Sequence, residues 1–387
     1  MTLAEAGKTS MKPETKLLSR ERATLRRFLP ALADKLAGVP LLDLERPGNE
    51  SIRLFREADG TALLAPVELG GLGARALDAV QVQRALGTAS PSLAAGTTMH
   101  HLSLATLLEH CQEASEAERE LIAGVVRERL LLASGFAEGR TGGSVFAPTM
   151  RAVRRGGDYV INGSKKPCSL SRSMDLLLAT VSVEDGGAAR RGIALIPAGT
   201  PGIARRPFWE SWILAGAESD EVVLDDVVVP GDLVLLNEVE DPTGQHELTG
   251  FLWFGLMISS TYLGAASALL ERLLLSGKAD PATYSGAAGE LEAAMSAIEG
   301  IARAMDDGER GQDISARLLF TRTALHGALT RAAATMIEAL GGMAFIGTSE
   351  ISYLAAAVHA FGFHPPSRRS VAGPLAAYHA GSDLELA

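Results

Sequence analysis

The chain has 387 residues, 47% of them hydrophobic, and a formal net charge of -10. That acidic balance, with no basic run interleaved with aromatics, argues against nucleic acid as a partner. Cys111 and Cys168 are the only cysteines; they form neither a disulfide framework nor a ligand spacing, so no metal is expected and a reducing, cytoplasmic setting is.

In chain order, residues 1–20 carry Lys8, Lys12 and Lys16 without an apolar core and read as a flexible tail, not a signal peptide. Residues 21–128 read as an N-terminal α-helical domain. Leu25, Phe28, Leu29, Leu32 and Leu36 recur at helical spacing up to Gly38-Val39-Pro40, and further helices are predicted over 78–86 and 94–109. Residues 129–240 change character. Short Val, Ile and Leu runs at 158–163, 176–183, 192–196 and 221–229 are separated by Gly156-Gly157, Gly186-Gly187 and Pro230-Gly231. No helices intervene, which predicts an antiparallel β-domain and not a Rossmann sheet. Residues 241–387 return to helical periodicity in four segments, 248–276, 286–306, 312–340 and 348–361, the count for an antiparallel four-helix bundle. The expected fold class is therefore α+β: N-terminal helical domain, central antiparallel β-domain, C-terminal four-helix bundle.

Two signals need weighing. The uncharged run 248–270 is long enough to cross a membrane. Its Ser259, Ser260, Thr261, Gly264, Ala265, Ala266 and Ser267, and its lack of a flanking Lys/Arg cluster, mark a buried bundle helix instead. Gly71-x-Gly73-x-x-Ala76 imitates a dinucleotide fingerprint, but no βαβ unit surrounds it and no acidic residue follows about 20 positions on.

Five strings then occur in a meaningful order: Pro66-Val67-Glu68-Leu69-Gly70-Gly71, Ala137-Glu138 followed by Gly142-Gly143-Ser144, Ile161-Asn162-Gly163-Ser164-Lys165, Leu224-Asp225-Asp226-Val227-Val228-Val229-Pro230, and Glu338-Ala339-Leu340-Gly341-Gly342. Each alone is weak. Together they resemble the acyl-CoA dehydrogenase family over nearly the whole chain. The resemblance implies FAD, held between β-domain and bundle, and an acyl thioester of CoA or an acyl carrier protein as substrate. It also implies an electron-transfer partner or flavin reductase, and a homodimer or homotetramer. By position it assigns Ala137, Ser144 and Ser169 to the flavin ring's surroundings, with Arg322, Glu338, Gly341 and Gly342 towards its phosphate and adenosine parts. Met99, His100 and Phe254 fall on the substrate pocket. Ser169 and Ser144 are also readable as turn hydroxyls serving local backbone, and Arg322 as a surface cation. The family's pyrophosphate arginine has no counterpart in Ser276–Tyr284, where Lys278 is the available cation.

The family's catalytic glutamate is also missing. Counting from Gly341-Gly342, its tyrosine-glutamate-glycine-threonine string falls on His364-Pro365-Pro366-Ser367, so proline stands at the acid's position; the alternative site falls on Phe254. No acid occurs from Ile351 to Gly381. His364 is the substitute base, since a neutral imidazole is available near neutral pH; a loop histidine with local partners is the plainer reading. Glu247 is a second candidate, better explained as a charge at a helix start. The sequence therefore favours α,β-dehydrogenation of an acyl thioester with a non-standard base. The alternative is a two-component flavin-dependent monooxygenase of the same fold, which the family resemblance links to histidines such as His100, His101 and His364. A non-catalytic homologue is the third reading.

Overall fold

The structure is a computed structural model that describes residues 15–112, 114–139, 148–184, 189–237 and 245–385. The first helix, α1 (Ser19–Phe28), starts inside the stretch expected to be tail, and Arg22 anchors it by donating to both carboxylate oxygens of Glu271 at 2.8 Å. The leucine periodicity predicted one helix to Gly38. Two form instead, because Pro30 lacks an N–H and pushes Leu29 to φ -132°, ψ 59°; α2 (Pro30–Ala37) restarts at the proline. Then come α3 (Leu41–Leu44), α4 (Ser51–Glu57), α5 (Ala76–Ala89), α6 (Pro91–His110) and α7 (Glu116–Arg127). Ser90 caps α6 by accepting from the Leu93 N–H, and Ser115 with Glu118 forms a reciprocal capping box for α7.

The strands are β1 (Leu132–Gly135), β2 (Arg151–Arg155), β3 (Asp158–Cys168), β4 (Leu176–Glu184), β5 (Arg190–Pro197), β6 (Ile203–Arg206), β7 (Asp220–Pro230) and β8 (Val234–Leu236). They form one sheet in the order β6-β7-β3-β2-β4-β5-β8, with β1 added beside β4. Most pairings are antiparallel, as the sequence predicts, but β1 and β2 each run parallel to β4. Central β4 is buried along most of its length, which explains its near-continuous apolar run.

The C-terminal helices are α8 (Gln245–Ser276), α9 (Pro281–Asp306), α10 (Gln312–Leu340), α11 (Gly342–Gly347), α12 (Ser349–His359) and α13 (Arg368–His379). The four predicted segments correspond to α8, α9, α10 and, for the last, α12; α11 and α13 are additional. The segment Glu247–Ser276 is apolar and long enough to cross a membrane, yet 94% of its most apolar window is buried inside the fold. Its small residues have a specific use. A Cβ on Gly264 would meet the Arg84 carbonyl oxygen at 2.3 Å, and one on Gly87 would meet the Thr261 carbonyl oxygen at 2.3 Å. Two facing glycines therefore let α5 and α8 cross almost backbone to backbone. Beside that crossing the Arg84 guanidinium, 0% exposed, donates to Glu21 at 3.2 Å, Glu292 at 2.6 Å and Ser267 at 3.0 Å.

Candidate active site

Three elements converge at one end of the bundle. Helix α8 presents Phe254 and, about two turns on, Tyr262. Helix α10 presents Arg322. The short 3-10 turn Ala360–Phe363 after α12 presents Phe361 and leads into His364. Arg322 is 6% exposed. Its Nη2 donates to the carbonyl oxygens of His364 at 3.3 Å and Pro365 at 3.4 Å. Its guanidinium carbon lies 5.0 Å from the Phe361 ring centre and 5.5 Å from that of Phe254, within cation–π range. Its Nη1 has no hydrogen-bond partner among the described residues, and no carboxylate there pairs with it. Desolvation brings its pKa down to about 10, so it remains a cation at neutral pH.

His364 is half-buried, with Nδ1 3.0 Å from the Tyr262 hydroxyl and 3.4 Å from the Ala360 carbonyl. Burial holds the phenol protonated by raising its pKa far above the ordinary value, so Tyr262 donates to Nδ1 and the ring proton is assigned to Nε2 from these contact lengths. Desolvation, only partly opposed by the Ala360 carbonyl and aided by the Arg322 charge, lowers the pKa of His364 to about 4. Its ring also lies tilted against Phe254 at 6.5 Å between centres. Beside this cluster is a cavity of about 510 Å³, lined among others by Arg322, His326, His364, Ser367, Arg368 and Arg369.

Of the residues singled out from sequence, His364, Arg322 and Phe254 are thus brought together. The other described ones are not part of this cluster. His100 is fully buried, and its ring nitrogens serve backbone: Nε2–H donates to the Thr61 carbonyl at 2.9 Å and Nδ1 accepts from the Leu132 N–H at 3.1 Å. It ties α6 to β1 and is not among the cavity-lining residues; its pKa falls to about 4 through desolvation. His101 packs edge-on against Phe55 at 5.8 Å with both ring nitrogens unpartnered among the described residues. Met99 is half-buried on α6, three residues beyond Gly96, where the helix passes Leu170.

Ser169 hydrogen-bonds the Ser219 hydroxyl at 2.9 Å, joining the loop after β3 to the segment before β7. The Ala137 carbonyl accepts from the Lys166 N–H at 3.2 Å. Ser144 lies outside the described residues. Glu338 is exposed, Gly341 caps α10 at φ 83°, and Gly342 opens α11. At 1.5 Å per residue, Glu338 is about 24 Å along α10 from Arg322, so this group belongs to a separate patch. Lys278 donates to the Leu340 carbonyl at 2.8 Å, capping the C-terminal end of α10. Glu247 pairs with Arg191 at 2.6 Å, linking α8 to β5.

One acid escaped the sequence reading. Glu45, 3% exposed, lies close enough to act electrostatically on Tyr262. It accepts from the Ser90 hydroxyl at 2.6 Å, the Ser92 N–H at 3.1 Å, and the hydroxyls of Ser92 and Tyr353. Burial raises its pKa against these donors. Four donors fill the acceptor sites of one carboxylate, which leaves no lone pair for a substrate proton. Tyr262, Phe361 and Glu45 had no local signature in the sequence. Tyr262 could have been found from Phe254, since positions i and i+8 of a helix share one face.

An α-domain, a mostly antiparallel sheet and a helical bundle, with an orphaned cation beside a cavity at one bundle end, define a class of enzyme. The chain belongs to the acyl-CoA dehydrogenase-like family of flavin-dependent oxidoreductases. It is 42% identical over 375 residues to isobutylamine N-hydroxylase of Streptomyces viridifaciens, spanning 95% of this chain and 99% of that protein. It is 27% identical to cyclohex-1-ene-1-carbonyl-CoA dehydrogenase of Syntrophus aciditrophicus (strain SB), over 57% of this chain and 53% of that protein. Among solved structures it superposes on KijD3 in complex with FMN and dTDP-3-amino-2,3,6-trideoxy-4-keto-3-methyl-D-glucose, with TM-score 0.82, 19% identity, and coverage of 96% of this chain and 95% of that one. No family profile matches the chain.

Proposed function

We propose that this protein is a two-component flavin-dependent monooxygenase that hydroxylates the nitrogen of a small aliphatic amine, with reduced flavin delivered by a separate cytoplasmic reductase. The observation that carries the reading is the pairing of His364 with Tyr262 beside Pro365, the position where the family resemblance would put a catalytic acid. Removing the α-proton of a thioester needs a base whose conjugate acid is not far too strong, with a pKa near the working pH. An imidazole with a pKa near 4 is a poor one, and Pro365 offers neither a carboxylate nor an N–H. The order of the two readings favoured from sequence is therefore reversed, and acyl thioesters give way to amines as substrates. The likeness to isobutylamine N-hydroxylase over nearly the full length of both chains supports the same choice.

The residues present fit a flavin. The orphaned Arg322 Nη1 beside the cavity suits an anionic group, and the Ser169 and Ser219 hydroxyls offer polar contacts on the sheet side. When bound in reduced form, the flavin would supply oxygen activation. The chain's own groups have three tasks. The phenyl faces of Phe254 and Phe361 exclude water. Tyr262 fixes the His364 ring so that its Nε2–H can donate a hydrogen bond to a reacting oxygen. Arg322, set against the Phe254 and Phe361 faces, donates to the His364 and Pro365 carbonyls and so fixes the turn that carries the histidine. FMN, the flavin of the KijD3 complex, is favoured over the FAD expected from sequence.

The test is incubation of purified protein with isobutylamine, FMN, a flavin reductase, NADH and labelled dioxygen. Mass spectrometry should show a hydroxylamine carrying one labelled oxygen, and His364→Ala should abolish it. Anaerobic bleaching of protein-bound flavin by an acyl-CoA, without amine oxygenation, would restore the dehydrogenase reading.

A further inference from the structure

The turn that carries His364 is gripped from α10 at two points. Arg322 donates to the His364 and Pro365 carbonyls. One helical turn further along, on the same face of α10, the half-buried His326 lies against the turn's backbone. A Cβ on Gly362 would stand 2.6 Å from the His326 Nε2 and 3.2 Å from its Cδ2. Gly362 has no left-handed backbone, so this close approach is what its missing side chain serves. The ring also tilts against Phe361 at 6.2 Å between centres. The charges around this contact are one-sided. Facing His326 are Arg322 on its own helix, His359 at the end of α12, His364 in the turn, and Arg368 and Arg369 at the start of α13; no Asp or Glu lines the cavity they share. Burial first, and then Arg368 and His359, hold the His326 pKa below the ordinary 6.5. The neutral ring therefore suits this packing, and a protonated one would be a further cation among cations with Gly362 against its Nε2.

We infer that His326 is a positioning residue for His364: as a neutral imidazole it backs the Phe361–Gly362 turn, and on taking a proton from solvent in the cavity it releases that turn and switches the site off. The link to activity rests on the function proposed above, through His364; the coupling between the two histidines does not. His326 acts through the backbone it supports and touches no reacting atom. The two grips differ in kind. Arg322 holds the turn by hydrogen bonds at every pH near neutral, because it stays a cation there, whereas the His326 contact is steric and lasts only while the ring is uncharged. Loss of the second grip leaves the turn tethered at its far side alone, so His364 is displaced while the rest of the fold stands.

Single-turnover amine oxygenation with prereduced FMN tests this without a reductase. Between about pH 7.5 and about pH 5 the wild-type rate should fall by roughly 10-fold, a loss that a small displacement of a reacting group produces. The shrinking share of free-base amine is common to every variant and cancels in the comparison. His326→Gln, neutral throughout, should lose most of that fall. His326→Lys, charged throughout, should be roughly 10-fold slower than His326→Gln even at about pH 7.5. Gly362→Ala, whose Cβ pushes the ring away, should be slow at both ends, and adding His326→Gln should make it no slower. Histidine-ring NMR supplies a readout that needs no reaction and no variant. The wild-type His364 signal, identified by its contact with Tyr262, should move in two steps as pH falls, first with His326 and then near its own value of about 4. A single step there, or rate profiles that coincide for wild type and His326→Gln, would overturn the inference. Two-step coupling in a protein that oxygenates no amine would keep the positioning contact and sink the proposed function instead.

Discussion

Arg84 and Arg322 are both buried arginines on long helices, and their surroundings could hardly differ more. Arg84, where α5 crosses α8, has Glu21, Glu292 and Ser267 around it. Arg322, on α10, has two carbonyl oxygens, two aromatic faces and a free Nη1. The histidines follow the same division. His100 spends both ring nitrogens on backbone between α6 and β1, whereas His364 takes a hydroxyl from Tyr262 and keeps its Nε2 side available. A folded chain satisfies its buried polar groups wherever their purpose is structural. Unpartnered nitrogens also occur at His101, but Arg322 and His364 are the ones that border a cavity among the described residues.

That contrast can be tested from both sides, and the largest effect should come from the paired side. Arg84→Met strands Glu21 in the interior with only the exposed Arg20 beside it, and should lower unfolding stability by about 3–5 kcal/mol in urea titrations. Next is a pH effect. His100 has a pKa of about 4 when folded against 6.5 when unfolded. Below pH 6.5 the unfolded chain takes up a proton that the folded one refuses. Stability from this group is therefore complete above pH 6.5 and is lost as pH falls towards 4, by about 3 kcal/mol at the bottom of the window. Urea midpoints measured across that range should show the decline, and its absence would mean the ring is not held as described. Gly264→Ala should cost about 1–3 kcal/mol by forcing α8 away from the Arg84 carbonyl, read as a lower melting temperature.

The open side should respond more weakly in stability and more strongly in chemistry. Tyr262→Phe removes the donor that favours neutral His364, so the histidine should titrate nearer its ordinary value in an NMR pH series, with a stability loss of about 1 kcal/mol. Arg322→Met should change stability by less than about 1 kcal/mol without ligand, because the lost contacts are offset by the desolvation that is no longer required. A loss on the scale of Arg84→Met would show that Arg322 is structural after all and would erase the comparison.

The ordering of the fold was legible because it rests on short-range signals. Alternating and helical apolar periods gave the α, β, α succession, and the small residues of 259–267 marked a helix that must pack closely on all sides. Pro30 shows where period alone failed: the leucine spacing continues through it, but the backbone does not. The strand directions were also out of reach, since the parallel pairings of β1 and β2 with β4 depend on how distant segments meet.

The sequence by itself determined which groups are absent: no acid from Ile351 to Gly381, a proline at the expected acid's place, no arginine between Ser276 and Tyr284. Absence needs no geometry to be read. What each remaining group does was decided by the tertiary structure. His100 and His364 are the same residue type with the same solution pKa, yet one is spoken for by two backbone groups and the other faces a cavity. Glu45, more than three hundred residues from Tyr353, reaches it only in the folded chain. Hydrogen-bond partners and desolvation act over a few ångströms in space, and spacing along the chain does not encode which residues will stand that close.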